Sequence, residues 1–589
     1  MSNIPKQVEK LVGQFDRNID AYKSPEYNET QLRVEFVNPF WKVLGWDMTN
    51  EAGYAMTYRD VVHEDAVKVG TATKAPDYCF RIGGMRKFFL ETKRPALNLK
   101  NDPSPAFQLR RYGWSAKLPM SILTDFEEMI VYDCRIRPKK TDKAAQARVK
   151  YIRYSEYTDR WDEIESVFSR EAVLKGSFDK FTETTKGKRG TAEVDTEFLK
   201  EIEGWRAVLA SNIALRNPSL SKRDLNFAVH MTIDRIIFLR MCEDRGIEKY
   251  GQLQALCGGP RIYQRLTGIY QKADERYNSG LFHFQPEKDR DSLPDELTPK
   301  LIIDDKVLKA MFQHLYYPDS PYEFRILPPE ILGNVYEQFL GKVIELTAGH
   351  HAKVEEKPEV RKAGGVYYTP SYIVNYIVKN TVGKLCEGKT PKQVSNFRIL
   401  DPACGSGSFL IGAYQYLLDW HLKYYLDEME KTGKVSTIQP KAGKKRKKSD
   451  APVMFQGRGG DYLLTTVEKK RILLNNIYGV DIDTQAVEVT KLSLLLKVLE
   501  NENQDTLQSQ LSLWRERALP DLSSNIKCGN SLIGPDFYEG QQMDLFDEEE
   551  KYRINAFDWH DDNYGFGEIM RAGGFDAVIG IGARDDIQS

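Results

Sequence analysis

The sequence predicts a multidomain α/β protein. With 589 residues, the chain is long enough for about three to five domains of ordinary size. Strand and helix patterns alternate near both ends of the chain, whereas the middle, from about Phe198 to Leu346, shows long helical periodicity. Two α/β regions joined by an all-helical connector are therefore expected.

The composition is that of a globular protein and excludes a fibrous or wholly disordered chain. Apolar residues make up 41% and charged residues 29%, and the formal net charge is −1, so a polyanionic partner must be held by local basic patches. The 7 cysteines form no CxxC pair, which disfavours a zinc cluster or a disulfide framework. A polar start and the lack of a membrane-spanning apolar run predict a cytoplasmic location without membrane contact.

The first region is predicted to contain helices followed by paired strands. Apolar residues recur at three- and four-residue spacings through residues 1–45, which is typical of helices. Two strand-like runs, at 77–82 and 85–93, flank Gly83-Gly84, and glycine tolerates the positive φ angles of a tight hairpin turn. We expect this unit to end before the basic stretch 135–150. The other predicted elements of the unit are a helix at Ser104–Ala116 and strands at Met120–Thr124 and Met129–Asp133.

Two acids and a lysine are expected to meet at this hairpin. Asp77 begins its first strand, while Glu91 and Lys93 are two residues apart on its second strand, where such side chains share a face. Neighbouring carboxylates form a hard oxygen site suited to Mg²⁺, and an adjacent ammonium can position an attacking water or offset phosphate charge. The hairpin is thus a candidate for phosphodiester hydrolysis. The alternative is a surface ion pair without catalytic meaning.

This arrangement resembles the PD-(D/E)xK nuclease superfamily, whose two motif halves match Pro76-Asp77 and Glu91-Thr92-Lys93. The resemblance implies a restriction-endonuclease-like α/β domain that binds Mg²⁺ through its two carboxylates. Restriction enzymes of this superfamily often add an acid from an upstream helix, for which Glu35 is the candidate. Gln108-Leu-Arg-Arg-Tyr112 resembles the QxxxY element that follows such sites. The implied catalytic residues are Asp77, Glu91, Lys93, Glu35 and Gln108, with Asp77 and Glu91 as metal ligands.

A glycine-rich turn follows the first predicted strand of the C-terminal region. Residues 397–410 contain a buried strand, a turn whose glycines let the backbone approach a ligand, and the start of a helix. Asp401 at the strand's end can face cationic groups of the ligand. The next strand ends in Val480-Asp-Ile-Asp483, where acids can bind ribose hydroxyls. The third glycine of a dinucleotide-binding fingerprint is missing.

The turn Asp401-Pro-Ala-Cys-Gly-Ser-Gly-Ser-Phe-Leu410 strongly resembles the S-adenosylmethionine motif of gamma-class DNA adenine-N6 methyltransferases. Three more elements occur in that family's order: Gly365-Val-Tyr-Tyr-Thr-Pro370, Val480-Asp-Ile-Asp483 and Cys528-Gly-Asn530. A lone glycine turn in an unrelated α/β domain explains only the first. The resemblance implies that Asp481 binds the ribose and that Ile482 packs on the adenine. The implied cofactor contacts are Tyr368, Thr369, Pro370, Asp401, Pro402, Ala403, Cys404, Gly405, Gly407, Asp481, Ile482 and Asn530.

Together these motifs resemble the fused restriction-modification enzymes called type IIG or IIL. In that family one chain carries a nuclease, a connector, a methyltransferase and a target-recognition domain. The implied cofactors are S-adenosylmethionine and Mg²⁺, and the implied partner is double-stranded DNA. The predicted domains are a nuclease-like domain at 1–160, an all-helical connector at 161–350, an incomplete Rossmann-like methyltransferase sheet at 351–580 with a basic insertion at 427–457, and a non-native-looking tail at 581–589.

The chain departs from the family at its next motif, Asn-Pro-Pro-Tyr, which holds and stacks on a flipped adenine. After Phe575-Asp-Ala-Val-Ile-Gly580 the sequence reads Ile581-Gly-Ala-Arg instead. We therefore expect a truncated enzyme that keeps its nuclease motifs and does not methylate DNA by itself. Two alternatives remain open: an S-adenosylmethionine-binding fragment of a split enzyme that needs a separate recognition or catalytic subunit, and an inert fragment.

Overall fold

The computed structural model divides the chain into two compact units, residues 1–197 with 313–327, and residues 198–312 with 328–589. No helix within the described part of the chain is long and apolar enough to cross a membrane. The described residues are 5–53, 59–63, 75–184, 193–277, 280–286, 294–327, 329–357, 369–435, 452–456, 462–500, 502, 507, 518–538 and 554–580.

A six-stranded sheet forms the centre of the first unit, with its strands in sequence order from β1 to β6. All neighbours are antiparallel except β3 and β4, which run parallel. The expected hairpin is present, and Gly83 and Gly84 at its turn have φ angles of 58° and 82°. The strands are β1 (Val61–His63), β2 (Tyr78–Ile82), β3 (Met85–Thr92), β4 (Met120–Thr124), β5 (Glu128–Asp133) and β6 (Arg148–Arg153).

Helices pack on the sheet through aromatic side chains. The Phe36 and Phe126 ring centroids lie 4.7 Å apart, and those of Trp41 and Phe80 lie 4.6 Å apart. This burial of large apolar surface stabilises the N-terminal helices, which were expected over residues 1–45. The helices of this unit are Lys6–Arg17, Ile19–Tyr22, Glu29–Leu32, a π-helical turn Arg33–Val37, Asn38–Val43, Pro103–Ser115, a short 3-10 turn Tyr154–Glu156, Trp161–Phe168, Arg170–Leu174 and Ser177–Thr184.

The prediction that the unit ends before the basic stretch 135–150 is wrong. β6 begins at Arg148 and pairs with β5, with Tyr151 opposite Ile130. The basic side chains are compatible with a strand because acids compensate them: Lys150 lies 2.6 Å from Glu163. Because composition alone does not reveal such pairing, the basic residues concealed this strand in the sequence.

Gly113 gives a stability prediction for this unit. The glycine lies in the helix Pro103–Ser115, and a Cβ atom there would meet Cys134 Sγ at 2.4 Å and Ser121 Oγ at 2.9 Å. Overpacking of this kind costs about 1–3 kcal/mol, so Gly113→Ala should lower the unfolding temperature in scanning calorimetry. Gly13→Ala is the matched control, because Gly13 is also helical and its added Cβ meets nothing closer than 3.7 Å. An unchanged unfolding temperature for Gly113→Ala would contradict the packing.

The second unit contains a four-stranded parallel sheet in the order β13-β12-β9-β14, together with two hairpins. Because its strands are parallel, their carboxyl ends meet at one edge of the sheet, which is where ligands bind in open α/β folds. The sheet strands are β9 (Ile399–Asp401), β12 (Ile477–Asp481), β13 (Ile526–Cys528) and β14 (Ala577–Val578). The hairpins are β7 (Lys342–Leu346) with β8 (Ala352–Glu356), and β10 (Met454–Gln456) with β11 (Tyr462–Leu464).

Most of the secondary-structure elements from residue 194 onwards are helices in the described part of the chain. They are Val194–Arg216, Lys222–Asp244, Gln252–Ala255, Ile262–Tyr277, Asp305–His314, Pro329–Leu340, Ser371–Asn380, Val382–Cys386, Pro391–Val394, Ser408–Thr432, Thr466–Asn476, Thr484–Val498 and Gly567–Arg571, with short 3-10 turns at Leu256–Gly258, Thr298–Lys300 and Pro535–Tyr538.

Two expected boundaries differ from the structure. Strand β7 lies inside the segment 161–350 that was expected to be all helical; its central Ile344 is buried, as suits a half-covered hairpin. The start of the predicted basic insertion, residues 427–432, is the last part of the helix Ser408–Thr432. The middle of that insertion, 436–451, lies outside the described residues.

Candidate functional site

The first candidate site lies where β3 ends in the N-terminal unit. Glu91 Oε1 accepts hydrogen bonds from Lys93 Nζ at 2.6 Å and from Gln108 Nε2 at 3.0 Å. Gln108 comes from the helix Pro103–Ser115 and also donates to the Tyr112 hydroxyl oxygen at 3.0 Å. Two of the residues expected from the sequence, Lys93 and Gln108, therefore converge on one carboxylate oxygen of a third, Glu91.

Asp77 is held by two residues that sequence reasoning did not single out. Its Oδ2 accepts from Thr92 N at 2.7 Å and from Thr92 Oγ1 at 2.5 Å, and Thr92 lies between Glu91 and Lys93 in the sequence. Its Oδ1 accepts from Arg33 Nη2 at 2.5 Å. Arg33 Nε also donates to Thr92 Oγ1 at 2.9 Å, so the guanidinium bridges both residues. The positive charge of Arg33 therefore already lies next to the Asp77 carboxylate.

Burial determines the protonation of the Glu91–Lys93 pair. Glu91 is 1% exposed, and this burial, with the Asp77 charge, raises its pKa to about 8 against the opposing effect of Lys93. Burial also pulls the pKa of Lys93 down, but the Glu91 charge and hydrogen bond outweigh it and leave that pKa raised. Glu91 Oε2 is buried and has no hydrogen-bond partner among the described residues. Such an orphaned oxygen is costly unless a cation or donor completes it.

The upstream helical segment places Glu29 closer to this site than Glu35. The charge of Glu29 raises the pKa of both Glu91 and Lys93, and its carboxylate lies 3.8 Å from Arg33. The charge of Glu35 instead acts on Tyr27. Glu29 lies four residues before Arg33 and shares its helix face, whereas Glu35 lies two residues after Arg33, about 200° further around the helix axis.

The second candidate site is the glycine turn between β9 and the helix Ser408–Thr432. Gly405 and Gly407 have φ angles of 52° and 85°, which favour glycine. Gly405 N donates to Asp481 Oδ2 at 2.8 Å, and Thr490 Oγ1 donates to Gly405 O at 2.8 Å. A Cβ atom at Gly407 would lie 2.9 Å from Thr490 Oγ1, so the turn has no room for a side chain. Thr490 belongs to the helix Thr484–Val498 and was not predicted.

The buried carboxyl group of Asp401 and the half-buried carboxyl group of Asp481 flank this turn. Burial raises the pKa of Asp401 to about 7, against the hydrogen bond that its Oδ1 accepts from Ala403 N at 3.1 Å. Burial also raises the pKa of Asp481 to about 6, although its Oδ1 accepts from Asp483 N at 2.9 Å. The charges of Asp401 and Asp481 repel each other across the turn. A cationic ligand would relieve this repulsion.

Of the remaining predicted cofactor residues, those of the glycine turn and those that follow β12 and β13 lie at the carboxyl edge of the sheet. Cys404 is buried and its N donates to Val480 O at 2.9 Å, which docks Pro402-Ala-Cys404 on β12. Ile482, just beyond β12, is 47% exposed, and Asn530 follows β13 with its Oδ1 accepting from Leu532 N at 3.1 Å. Thr369 and Pro370 precede the helix Ser371–Asn380, whereas Tyr368 lies outside the described residues.

No group of three or more histidine, cysteine, aspartate or glutamate side chains in the described ranges is arranged to hold a metal ion. The expected Mg²⁺ site therefore depends on two carboxylates, Asp77 and Glu91. Their chemistry still suits a divalent cation: Glu91 has an unpartnered buried oxygen, and Asp77 already binds a guanidinium.

Two family models match the second unit. The model described as N-6 DNA Methylase matches residues 328–519, which include the glycine turn and β12. The model described as Eco57I restriction-modification methylase matches residues 475–580, which include β12, β13 and β14. These matches coincide with the sheet edge where the predicted cofactor residues gather.

Similarity extends over almost the whole chain. The type II restriction enzyme and methyltransferase RM.Eco57I of Escherichia coli is 35% identical over 570 residues, which cover 96% of this chain and 52% of that protein. The chain is a homologue of fused type II restriction enzymes and methyltransferases. The likeness to fused restriction-modification enzymes expected from the motifs is thereby confirmed, and so is the adenine-specific DNA methyltransferase character of the family.

Two further comparisons are with a second curated relative and with a solved structure. A Methanocaldococcus jannaschii relative, also named as a type II restriction enzyme and methyltransferase, is 24% identical and covers 90% of this chain and 48% of its own length. The solved structure of the type IIG restriction endonuclease BpuSI covers 80% of this chain and 41% of that chain at 14% identity, with a TM-score of 0.24. The chain spans about half the length of the curated relatives it matches.

Proposed function

We propose that this chain is a restriction-modification protein that cleaves double-stranded DNA with Mg²⁺ and binds S-adenosylmethionine. The proposal rests on two sites found together in one homologue of the fused enzymes. One is the buried Glu91–Lys93 pair, and the other is the glycine turn whose Gly405 N donates to Asp481. The nuclease-like, connector and methyltransferase divisions at 1–160, 161–350 and 351–580 are part of this proposal.

In the nuclease unit, Asp77 and Glu91 would hold the Mg²⁺ ion, which when bound supplies Lewis-acid polarisation of the scissile phosphate. Gln108 and Lys93 both engage Glu91 Oε1, so they leave Oε2 available for the metal. The Lys93 ammonium, 2.6 Å from Glu91, can orient a water for attack and offset phosphate charge. Arg33 must release Asp77 Oδ1 before that oxygen can serve as a ligand.

In the methyltransferase unit, the glycine turn lets its backbone approach the methionine part of the cofactor. Asp401 faces the cationic groups, Asp481 accepts from the ribose while it holds Gly405 N, and the half-exposed Ile482 packs on the adenine. The bound cofactor supplies an activated methyl group. Residues 1–589 contain no Asn-Pro-Pro-Tyr motif, so we propose that they transfer no methyl group by themselves.

A second candidate function is that of an S-adenosylmethionine-binding half of a split enzyme that needs a separate subunit. The observation in its favour is the position of β14, which is an edge strand of the four-stranded sheet in the described part of the chain. Val578 on this strand is 61% exposed. An edge strand offers unpaired backbone groups to which another chain can add.

Plasmid cleavage tests the nuclease proposal. Purified protein should nick or linearise plasmid DNA in Mg²⁺ and should not do so in EDTA or in Ca²⁺. Calcium is larger than magnesium and does not adopt the tight octahedral coordination of Mg²⁺, so it should not support cleavage. Intact plasmid after prolonged incubation in Mg²⁺ would reject the nuclease and favour the split-enzyme function.

Cofactor binding is expected to strengthen as pH rises from 5.5 to 7.5. The pKa values of Asp401 and Asp481 are raised to about 7 and about 6, so both carboxyl groups lose protons in this window and gain attraction for a cationic ligand. Isothermal titration calorimetry with S-adenosylmethionine should show a rising affinity and proton release below pH 7. 5′-Methylthioadenosine, which lacks the charged groups but keeps the ribose that Asp481 would bind, is the control and should show a smaller dependence on pH. Equal pH profiles for both ligands would contradict this electrostatic account.

A further inference from the structure

A third carboxylate, that of Glu337, contacts the glycine turn. It comes from a helix that the sequence analysis placed in the connector. Ser406, between the two glycines of the turn, is 1% exposed, and its Oγ donates to Glu337 Oε2 at 3.0 Å. Glu337 belongs to the helix Pro329–Leu340, 64 positions before Asp401 in the sequence numbering. The other oxygen, Oε1, has no hydrogen-bond partner among the described residues.

The helix that bears Glu337 is anchored on both sides of this residue. The buried Tyr336 hydroxyl donates to Asp234 Oδ1 at 2.6 Å. The Phe339 carbonyl accepts from Arg206 Nη1 at 2.8 Å, and the Arg206 guanidinium lies 4.2 Å from the centre of the Phe339 ring. These contacts fix the rotation of the helix, so the Glu337 side chain is directed at the turn by the fold.

The charge around Glu337 is not neutralised by the chain itself. Glu337 forms no ion pair with a lysine or arginine in the described part of the protein, and the charge that acts on it is the negative charge of Asp481. Burial raises the pKa of Glu337 to about 7, the Ser406 hydrogen bond lowers it, and the Asp481 charge raises it further. Asp401, Asp481 and Glu337 thus place three acidic groups at one glycine turn. Such a pocket is complementary to a ligand with positive groups.

We propose that Glu337 is a further cofactor-binding residue, whose carboxylate accepts a hydrogen bond from the α-ammonium group of S-adenosylmethionine. This inference rests on the proposed function, in which the glycine turn binds that cofactor. The cofactor has two cationic centres, the ammonium and the sulfonium, and only the ammonium has N–H groups to donate. Oε1 of Glu337 is available to accept one, while Oε2 stays bound to Ser406.

Isothermal titration calorimetry on the full chain tests the assignment with three ligands. S-Adenosylmethionine has both cationic centres, S-adenosylhomocysteine has the ammonium alone, and 5′-methylthioadenosine has neither. Glu337→Gln should weaken binding of the first two by similar factors of about 10 to 100, the usual range for a lost charge-assisted hydrogen bond. Binding of 5′-methylthioadenosine should not change. Glu387→Gln, which removes the same charge from an exposed position, is the matched control and should bind all three ligands as the wild type does.

Ser406→Ala separates a ligand contact from a structural role. If Glu337 contacts the ammonium, removal of the Ser406 hydroxyl should weaken binding less than Glu337→Gln and without preference among the ligands. Equal losses for all three ligands in Glu337→Gln would show that it only supports the turn, and a loss confined to S-adenosylmethionine would place it at the sulfonium; either result overturns the assignment. Unchanged binding in Glu337→Gln also overturns it while leaving the proposed function intact. A wild-type protein that binds none of the ligands rejects the proposed function itself.

Discussion

Glu91→Gln is expected to reduce Mg²⁺-dependent plasmid cleavage by about 10³-fold, on the scale of losses seen when a key electrostatic group is removed from an active site. Glutamine keeps the shape of the side chain and can still meet Lys93 and Gln108, but it removes the negative charge that a metal ion requires. The measurement is the initial rate of loss of supercoiled plasmid, with thermal unfolding of the variant as a check on folding.

The control for this variant comes from the upstream helical segment. Glu35→Gln should cleave plasmid at a rate within about threefold of the wild type, because the charge of Glu35 acts on Tyr27 and not on the site. Glu29→Gln should lower the rate by an intermediate factor, because the charge of Glu29 acts on Arg33 and Glu91. Cleavage by Glu91→Gln at the wild-type rate would show that Glu91 and Lys93 form a structural ion pair. An effect of Glu35 larger than that of Glu29 would contradict the placement of this segment.

Asp481→Ala is expected to weaken S-adenosylmethionine binding by about 100-fold or more. The carboxylate holds the turn through Gly405 N at 2.8 Å and the following loop through Asp483 N at 2.9 Å. Charge-assisted hydrogen bonds are each worth about 1.5–3 kcal/mol, so the loss of both should open the turn and remove the proposed ribose contact together.

Equilibrium binding by calorimetry measures this effect, and Asp536→Ala is the matched control. Asp536 is an exposed aspartate of the same unit, so its removal tests whether a general loss of negative charge explains the result. The control should bind as the wild type does. Wild-type affinity in Asp481→Ala would contradict the role of Asp481 in both the turn and the cofactor site.

Local sequence rules were sufficient for the parts of each site that lie on one element or at one turn. The hairpin followed from Gly83-Gly84, and the contact between Glu91 and Lys93 followed from the two-residue repeat of a strand. The turn between β9 and the following helix was likewise expected from its glycines, although their positive φ angles were not predicted. In these cases the side chains that meet are close in sequence or joined by a short turn.

The residues that sequence reasoning missed reach each site from distant segments. Arg33 meets Asp77 across 44 positions, and Thr490 meets Gly405 across 85. Their side chains arrive only through tertiary packing. Glu337 lies in a segment whose helical periodicity was recognised, but no local pattern shows that its carboxylate meets Ser406.

The central claim is that one chain combines a working nuclease with a cofactor site that does not methylate DNA by itself. The most direct test is one incubation of the wild-type protein with plasmid DNA, Mg²⁺ and S-[methyl-³H]adenosylmethionine, in which nicks and labelled DNA are scored together, beside Glu91→Gln. We expect nicks without label in the wild type and neither signal in the variant. Label in the DNA, or nicks that persist in Glu91→Gln, would contradict the claim.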